Sequence, residues 1–125
     1  MMTAEQRQDA VDSRARAYDV GLRYGHLDAK AGLPEPTSEP EAIVGEQNAD
    51  IWLRGWQEGH RLYMAPLVTP GTRVSIPSLV PGERIAASVT GRTQVIQGIV
   101  RIECYTPGGT APMWIPVPQV QAKGV

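Results

Sequence analysis

Glycines at Gly21, Gly25, Gly55 and Gly59 interrupt two segments whose apolar spacing is otherwise helical. Each costs about 1 kcal/mol relative to alanine inside a helix. Such residues are placed where two backbones approach closely. The segments Tyr18-Asp19-Val20-Gly21 and Trp52-Leu53-Arg54-Gly55-Trp56-Gln57-Glu58-Gly59 therefore predict two closely packed helices.

The first helix is expected over residues 4–31, with Thr3 as N-cap and Glu5 in the first turn. Val11, Ala15, Tyr18, Leu22 and Gly25 mark one face, and Ala17, Gly21 and Gly25 form a row at i, i+4, i+8. Gly32-Leu33-Pro34 is a stop signal. Ser38-Glu39-Pro40-Glu41 has capping-box form and opens a second helix over about 39–63, with a break near 46–48 if Asn48 caps a separate piece. A short loop predicts an antiparallel hairpin. Its register sets Gly25 near Gly45, Gly21 and Leu22 near Ala49, Tyr18 near Trp52, Ala15 near Gly55, and Val11 near Gly59.

Composition changes at Ala65-Pro66, and eight of the eleven prolines lie beyond 65. The alternation of Val74 and Ile76, and of Ile85, Ala87 and Val89, predicts strands. A long strand is expected through Ile96, Gly98, Val100, Ile102 and Cys104, bent at Gly98, with Gln97, Arg101 and Glu103 on the opposite face. Met113, Ile115 and Val117 give a last short strand, and Pro81-Gly82, Thr90-Gly91-Arg92 and Pro107-Gly108-Gly109 read as turns. So few short strands favour a small, strongly bent barrel. The run Trp114-Ile115-Pro116-Val117-Pro118-Gln119-Val120 resembles the closing portion of an SH3-like barrel. The fold class expected is α+β: an N-terminal antiparallel helical hairpin over 1–65, then a small SH3-like β-barrel over 66–125. The barrel should dock on the hairpin through Val44, Ile51, Leu62 and Met64.

Charge divides along the same boundary. Residues 1–65 carry seven Lys/Arg and eleven Asp/Glu, and residues 66–125 carry five and two. The halves are thus −4 and +3, which suggests separate surfaces. The N-terminus has no signal-type apolar core, and no run reaches membrane-spanning length, so a cytoplasmic protein without membrane contact is expected. A lone cysteine, Cys104, excludes an intramolecular disulfide and argues against structural zinc.

The first half resembles the ribosome modulation factor family, which includes small proteins described as ciprofloxacin-resistance proteins. Tyr18 and Gly21, then Trp52, Leu53, Gly55, Trp56 and Glu58, carry the likeness over about residues 14–62. The resemblance implies a helical hairpin and, in the family's ribosome binder, association with the small ribosomal subunit. This hairpin is acidic where that protein is strongly basic, its connection is longer and lacks the usual Cys-Pro, and a second domain follows.

No nucleophile elbow, phosphate loop or metal-ligand cluster stands in the sequence, so no enzyme, metal or cofactor is expected. The antiparallel register would hold His26 and His60 near opposite ends. Cys104 reads as a buried core thiol, and Asp9, Asp12, Asp19 and Asp28 as a hydrated face. Trp52 and Trp56 are core residues of the hairpin or aromatic anchors for a partner. Arg54 and Arg61, with His60 nearby, are the hairpin's candidates for phosphate or an acidic partner. Arg73, Arg92 and Arg101 are those of the barrel, with Arg92 at an expected hairpin tip. The expected role is a non-enzymatic binding module for ribosome or RNA. The alternative is a phage- or prophage-encoded inhibitor that blocks a host defence protein, using the acidic surface to mimic nucleic acid.

Overall fold

A computed structural model describes residues 3–109 and 111–122. Three α-helices precede a five-stranded antiparallel sheet, an α+β arrangement. Helix α1 spans Ala4–Lys30. Thr3 caps it in a full capping box, with its side chain accepting from the Gln6 N–H and Gln6 accepting from the Thr3 N–H. Helix α2 spans only Pro40–Val44. Its N-cap is Glu39 with no side-chain cap bond, so the capping box expected at Ser38 does not form. Gly45, at φ 83°, breaks the chain direction, a 3₁₀ turn covers Glu46–Asn48, and helix α3 runs Ala49–Met64.

Helices α1 and α3 pack along each other, and they run parallel, not antiparallel. Advancing along one advances along the other. A methyl group built on Gly21 would collide with the Trp52 carbonyl oxygen, and one on Gly25 with that of Trp56. Gly55 abuts the Tyr18 carbonyl in the same way, and Gly59 that of Leu22. Each glycine therefore aims a Cα–H at a carbonyl on the facing helix, the geometry of a weak Cα–H···O contact at about 3.3–3.6 Å between C and O. Further down, Asn48 Nδ2 donates to Ser13 Oγ at 2.8 Å, and Arg14 donates to the Gln47 carbonyl and Asp50, both at 3.2 Å. The buried row on α1 is Ala17, Gly21, Gly25 and Ala29. The antiparallel register fails because residues 31–48 are no tight turn. They return along the helix, roughly 26 Å for seventeen residues at 1.5 Å rise, which a chain of this length spans easily.

The sheet order is β4-β3-β2-β1-β5. The strands are β1 Arg73–Pro77, β2 Arg84–Ile96, β3 Ile99–Tyr105, β4 Met113–Pro116 and β5 Gln121–Ala122. A 3₁₀ turn at Val117–Gln119 joins β4 to β5. Strands β4 and β5 form the two edges and are not hydrogen-bonded to each other. The expected long strand from Ile96 to Cys104 is two strands. Gln97 (φ 54°) and Gly98 (φ 76°) form the two-residue turn between β2 and β3, the backbone signature of a type I′ hairpin. The irregularity falls instead between Val89 and Thr93, around Gly91 (φ 95°), so Thr90-Gly91-Arg92 is a bulge within β2 and not a turn.

One core joins sheet and helices. Val74, Ile76, Val89, Ile102, Cys104 and Val117 are fully buried and cluster with Ala29 of α1 and Met64 of α3. The Val100 N–H donates to the Gly32 carbonyl at 2.7 Å, tying the end of α1 to β3. Of the docking residues expected from sequence, Met64 is in this core and Leu62 is 49 % exposed. Val44 lies at the other end of the helical pair, where its carbonyl accepts from Asn48 beside Ser13, and Ile51 lies in the first turn of α3 there. The parallel direction of α3 carries that end away from the sheet.

Candidate nucleic-acid interface

Strand alternation puts the apolar residues of the sheet on one side and a different population on the other. Directly paired residues share a side. Following the ladder, Arg73 pairs with Ser88, Ser88 with Tyr105, Pro77 with Arg84, Glu103 with Trp114, and Arg101 with Pro116. The side opposite the core therefore carries Arg73, Arg84, Arg101, Tyr105 and Trp114. Arg92 joins them from the bulge: its guanidinium lies 6.0 Å from the Trp114 ring centroid and 3.7 Å from Glu103. Of the three barrel arginines picked from sequence, Arg92 and Arg101 flank Glu103, and Arg73 lies two strands away beside a small recess with Ala86, Ser88 and Pro107. Arg92 sits at the bulge, not at a hairpin tip.

These arginines differ in freedom. Arg84 is a structural clamp: it donates to Ser75 Oγ at 2.9 Å, the Ser75 carbonyl at 2.7 Å and the Gln119 carbonyl at 2.6 Å. All three acceptors are neutral, so its charge stays uncompensated. Arg92 is three-quarters exposed. Arg101 is half-buried, and its Nε is buried with no hydrogen-bond partner among the described residues. An unpaired buried donor of that kind costs about 1–3 kcal/mol. Glu103 is buried at 7 % exposure, although its position in the alternation reads as solvated. Thr90 Oγ1 donates to its Oε1 at 2.8 Å, and Arg92 and Trp114 stand beside it. Arg84, Thr90, Glu103, Tyr105 and Trp114 escaped sequence reasoning as site residues. The Arg101-Ile102-Glu103-Cys104-Tyr105 alternation held the signal for Glu103 and Tyr105 on β3.

The helical candidates are placed differently. Trp52 is fully buried and Trp56 is 5 % exposed. Both pack between the helices, with Trp52 tilted against Tyr24 at 5.7 Å between centroids. Trp56 Nε1 donates to Asp28 Oδ2 at 2.8 Å, so Asp28 serves the helix contact and not a hydrated face. His60 stacks on Trp56 (4.9 Å, 29°) and its Nε2 donates to the Leu33 carbonyl at 2.8 Å. A methyl on Gly25 would stand 2.9 Å from the backbone nitrogen of His60, so His26 and His60 share one end of the pair and are not held apart. His26 packs edge-on against Tyr63 (4.9 Å, 86°), beside an apolar groove with Leu62, Leu67 and Val120. Arg61 is paired with Glu58 one turn earlier, which holds that carboxyl below its ordinary range. Arg54 is exposed and makes no ion pair among the described residues.

Cys104 is fully buried on the core side, and burial, then the neighbouring Glu103 charge, push its thiol up to about 11. A thiol so placed is a core side chain. No three His, Cys, Asp or Glu side chains gather as a metal site among the described residues, and none of the described helices is long and apolar enough to cross a membrane. No family model, curated protein or solved structure matches this chain.

Proposed function

We propose that the protein is a non-enzymatic, cytoplasmic RNA-binding module that associates with ribosomes through the arginine side of its sheet. The observation that carries this reading is the grouping of Arg73, Arg92 and Arg101 with Trp114 and Tyr105 on one side of the ladder. Cations that track phosphate and aromatic faces that stack on bases are the two components of single-strand binding. Eleven carboxylates lie in residues 1–65 and only two in 66–125, which favours RNA on the sheet over the helices. We read residues 1–65 as the helical module and 66–125 as an SH3-like module whose sheet stays open between β4 and β5. The strand order and the 3₁₀ turn before β5 support that reading. The motifs shared with the ribosome modulation factor family lie on α1 and α3 and support a ribosomal target, with exposed Arg54 as an outlying contact.

Fluorescence anisotropy with short single-stranded RNA across a salt series tests this. Two phosphate contacts, from Arg73 and Arg92, predict a slope of about −1.4 for log K against log salt. Charge reversal of Arg73 and Arg92 should flatten the slope, and ribosomes should co-sediment at low salt and be released at high salt. Salt-independent association, or none, would overturn the reading. A protein partner held by the acidic helical half is the second reading, favoured by that carboxylate concentration. Capture of one basic protein from nuclease-treated bacterial lysate, undiminished by the Arg73 and Arg92 reversals, would support it instead.

A further inference from the structure

Glu103 is the acidic side chain set among the sheet's arginines, and only one of its two oxygens is hydrogen-bonded. Oε1 accepts from Thr90 Oγ1 at 2.8 Å, while Oε2 stands 3.7 Å from the Arg92 Nη1, beyond hydrogen-bond reach. Directly across the ladder is Trp114, half-buried, with its Cβ about 5 Å away on the same side. Two residues before Glu103 on the same side is Arg101, whose guanidinium makes no hydrogen bond or ion pair among the described residues. One ladder position thus combines an aromatic face, a carboxylate with acceptor capacity left and an arginine with donors left.

We propose that Trp114, Glu103 and Arg101 form a subsite for a single guanine base. The inference rests on the RNA-binding reading for its source of guanine. Guanine presents two adjacent donors, N1–H and the N2 amino group, beside the O6 acceptor. A carboxylate accepts from both donors, and an arginine donates to O6. Adenine and cytosine offer one amino donor next to a ring-nitrogen lone pair, which a carboxylate repels. Uracil flanks its single N–H with two carbonyls. Trp114 supplies the stacking surface. Arg92 occupies that surface in the free protein. Its side chain is largely exposed and stands 3.7 Å from the buried Glu103 carboxylate, so it swings aside only as the two guanine donors take its place on that carboxylate.

Tryptophan fluorescence reads the site directly, because Trp52 and Trp56 are buried between the helices and Trp114 is not. The probes are oligouridylates carrying one central guanine or one central adenine, together with free GMP and AMP. The guanine oligomer should bind about tenfold more tightly than the adenine oligomer, the scale of one bidentate base contact. Glu103→Gln, which keeps the shape, should remove that preference. Arg101→Met provides a second route to the same loss. Equal affinity for the two oligomers, or a preference that survives Glu103→Gln, overturns the guanine subsite and leaves RNA binding standing. Quenching by GMP over AMP without oligomer binding, abolished by Glu103→Gln, supports the subsite and makes a free nucleotide its source, against the RNA reading. Absence of any quenching or binding overturns both.

Discussion

At the scale of single residues, the helical pair depends on side chains that are missing. Gly25 and Gly59 face carbonyl oxygens with no room for a Cβ, and the obstacle is backbone, which cannot rotate away. Gly25→Ala or Gly59→Ala should therefore destabilise by on the order of 3 kcal/mol in urea unfolding, the range of core overpacking. Gly45 has open space around it but sits at φ 83°, ψ 159°, a region essentially confined to glycine, so Gly45→Ala should cost on the order of 2–3 kcal/mol, through backbone strain alone. Cys104 gives a pH test. Its thiol is raised from an ordinary 9.0 to about 11 on folding, so between these values the unfolded chain holds fewer protons than the folded one. Stability is fully present below pH 9 and falls as pH rises toward 11, by on the order of 1 kcal/mol per pH unit. Tyr63, raised by burial, acts in the same direction. Native Cys104 should resist thiol reagents that label the urea-unfolded chain at once. The small-residue row was legible because Ala17, Gly21 and Gly25 recur at i, i+4, i+8 in a segment otherwise suited to a helix. The burial of Glu103 was not, because alternation assigns a side of the sheet but not what covers it.

At the scale of elements, the direction of α3 was the largest departure from expectation. A row at i, i+4 has no polarity, so the glycines fit a parallel or an antiparallel partner equally. Direction was set by residues 31–48, where Gly32 (φ 78°) and Gly45 (φ 83°) turn the chain back along the helix. The prolines Pro34, Pro36 and Pro40 keep that connection from being one long helix. Ser13 and Asn48 are hydrogen-bonded neighbours in the parallel pair. In the antiparallel register they would stand about 13 Å apart along the axis. Cysteines at these two positions should be joined by a short bis-maleimide linker in the folded protein, detected as an intact-mass increase of one linker. In the sheet, the strands were legible from alternation, but Gln97-Gly98 hid its turn. Gln at the first turn position lacks the Asn or Asp signal, and Ile96 and Ile99 on either side continue an apolar run.

At the scale of the molecule, helices and sheet share apolar contacts and a backbone hydrogen bond. Ala29 and Met64 belong to the same core as the strands, and Gly32 is bonded to Val100. Unfolding followed by far-UV circular dichroism and by tryptophan fluorescence should therefore give one coincident transition. Two separate transitions would show that the helical pair and the sheet unfold independently. If nucleic acid meets the arginine side of the sheet, an amide and indole NMR titration with single-stranded RNA should shift the Trp114 indole N–H and Arg73, Arg92 and Arg101 and leave the Trp52 and Trp56 indoles unmoved. Shifts confined to Arg54, Arg61 and the helical indoles would contradict it.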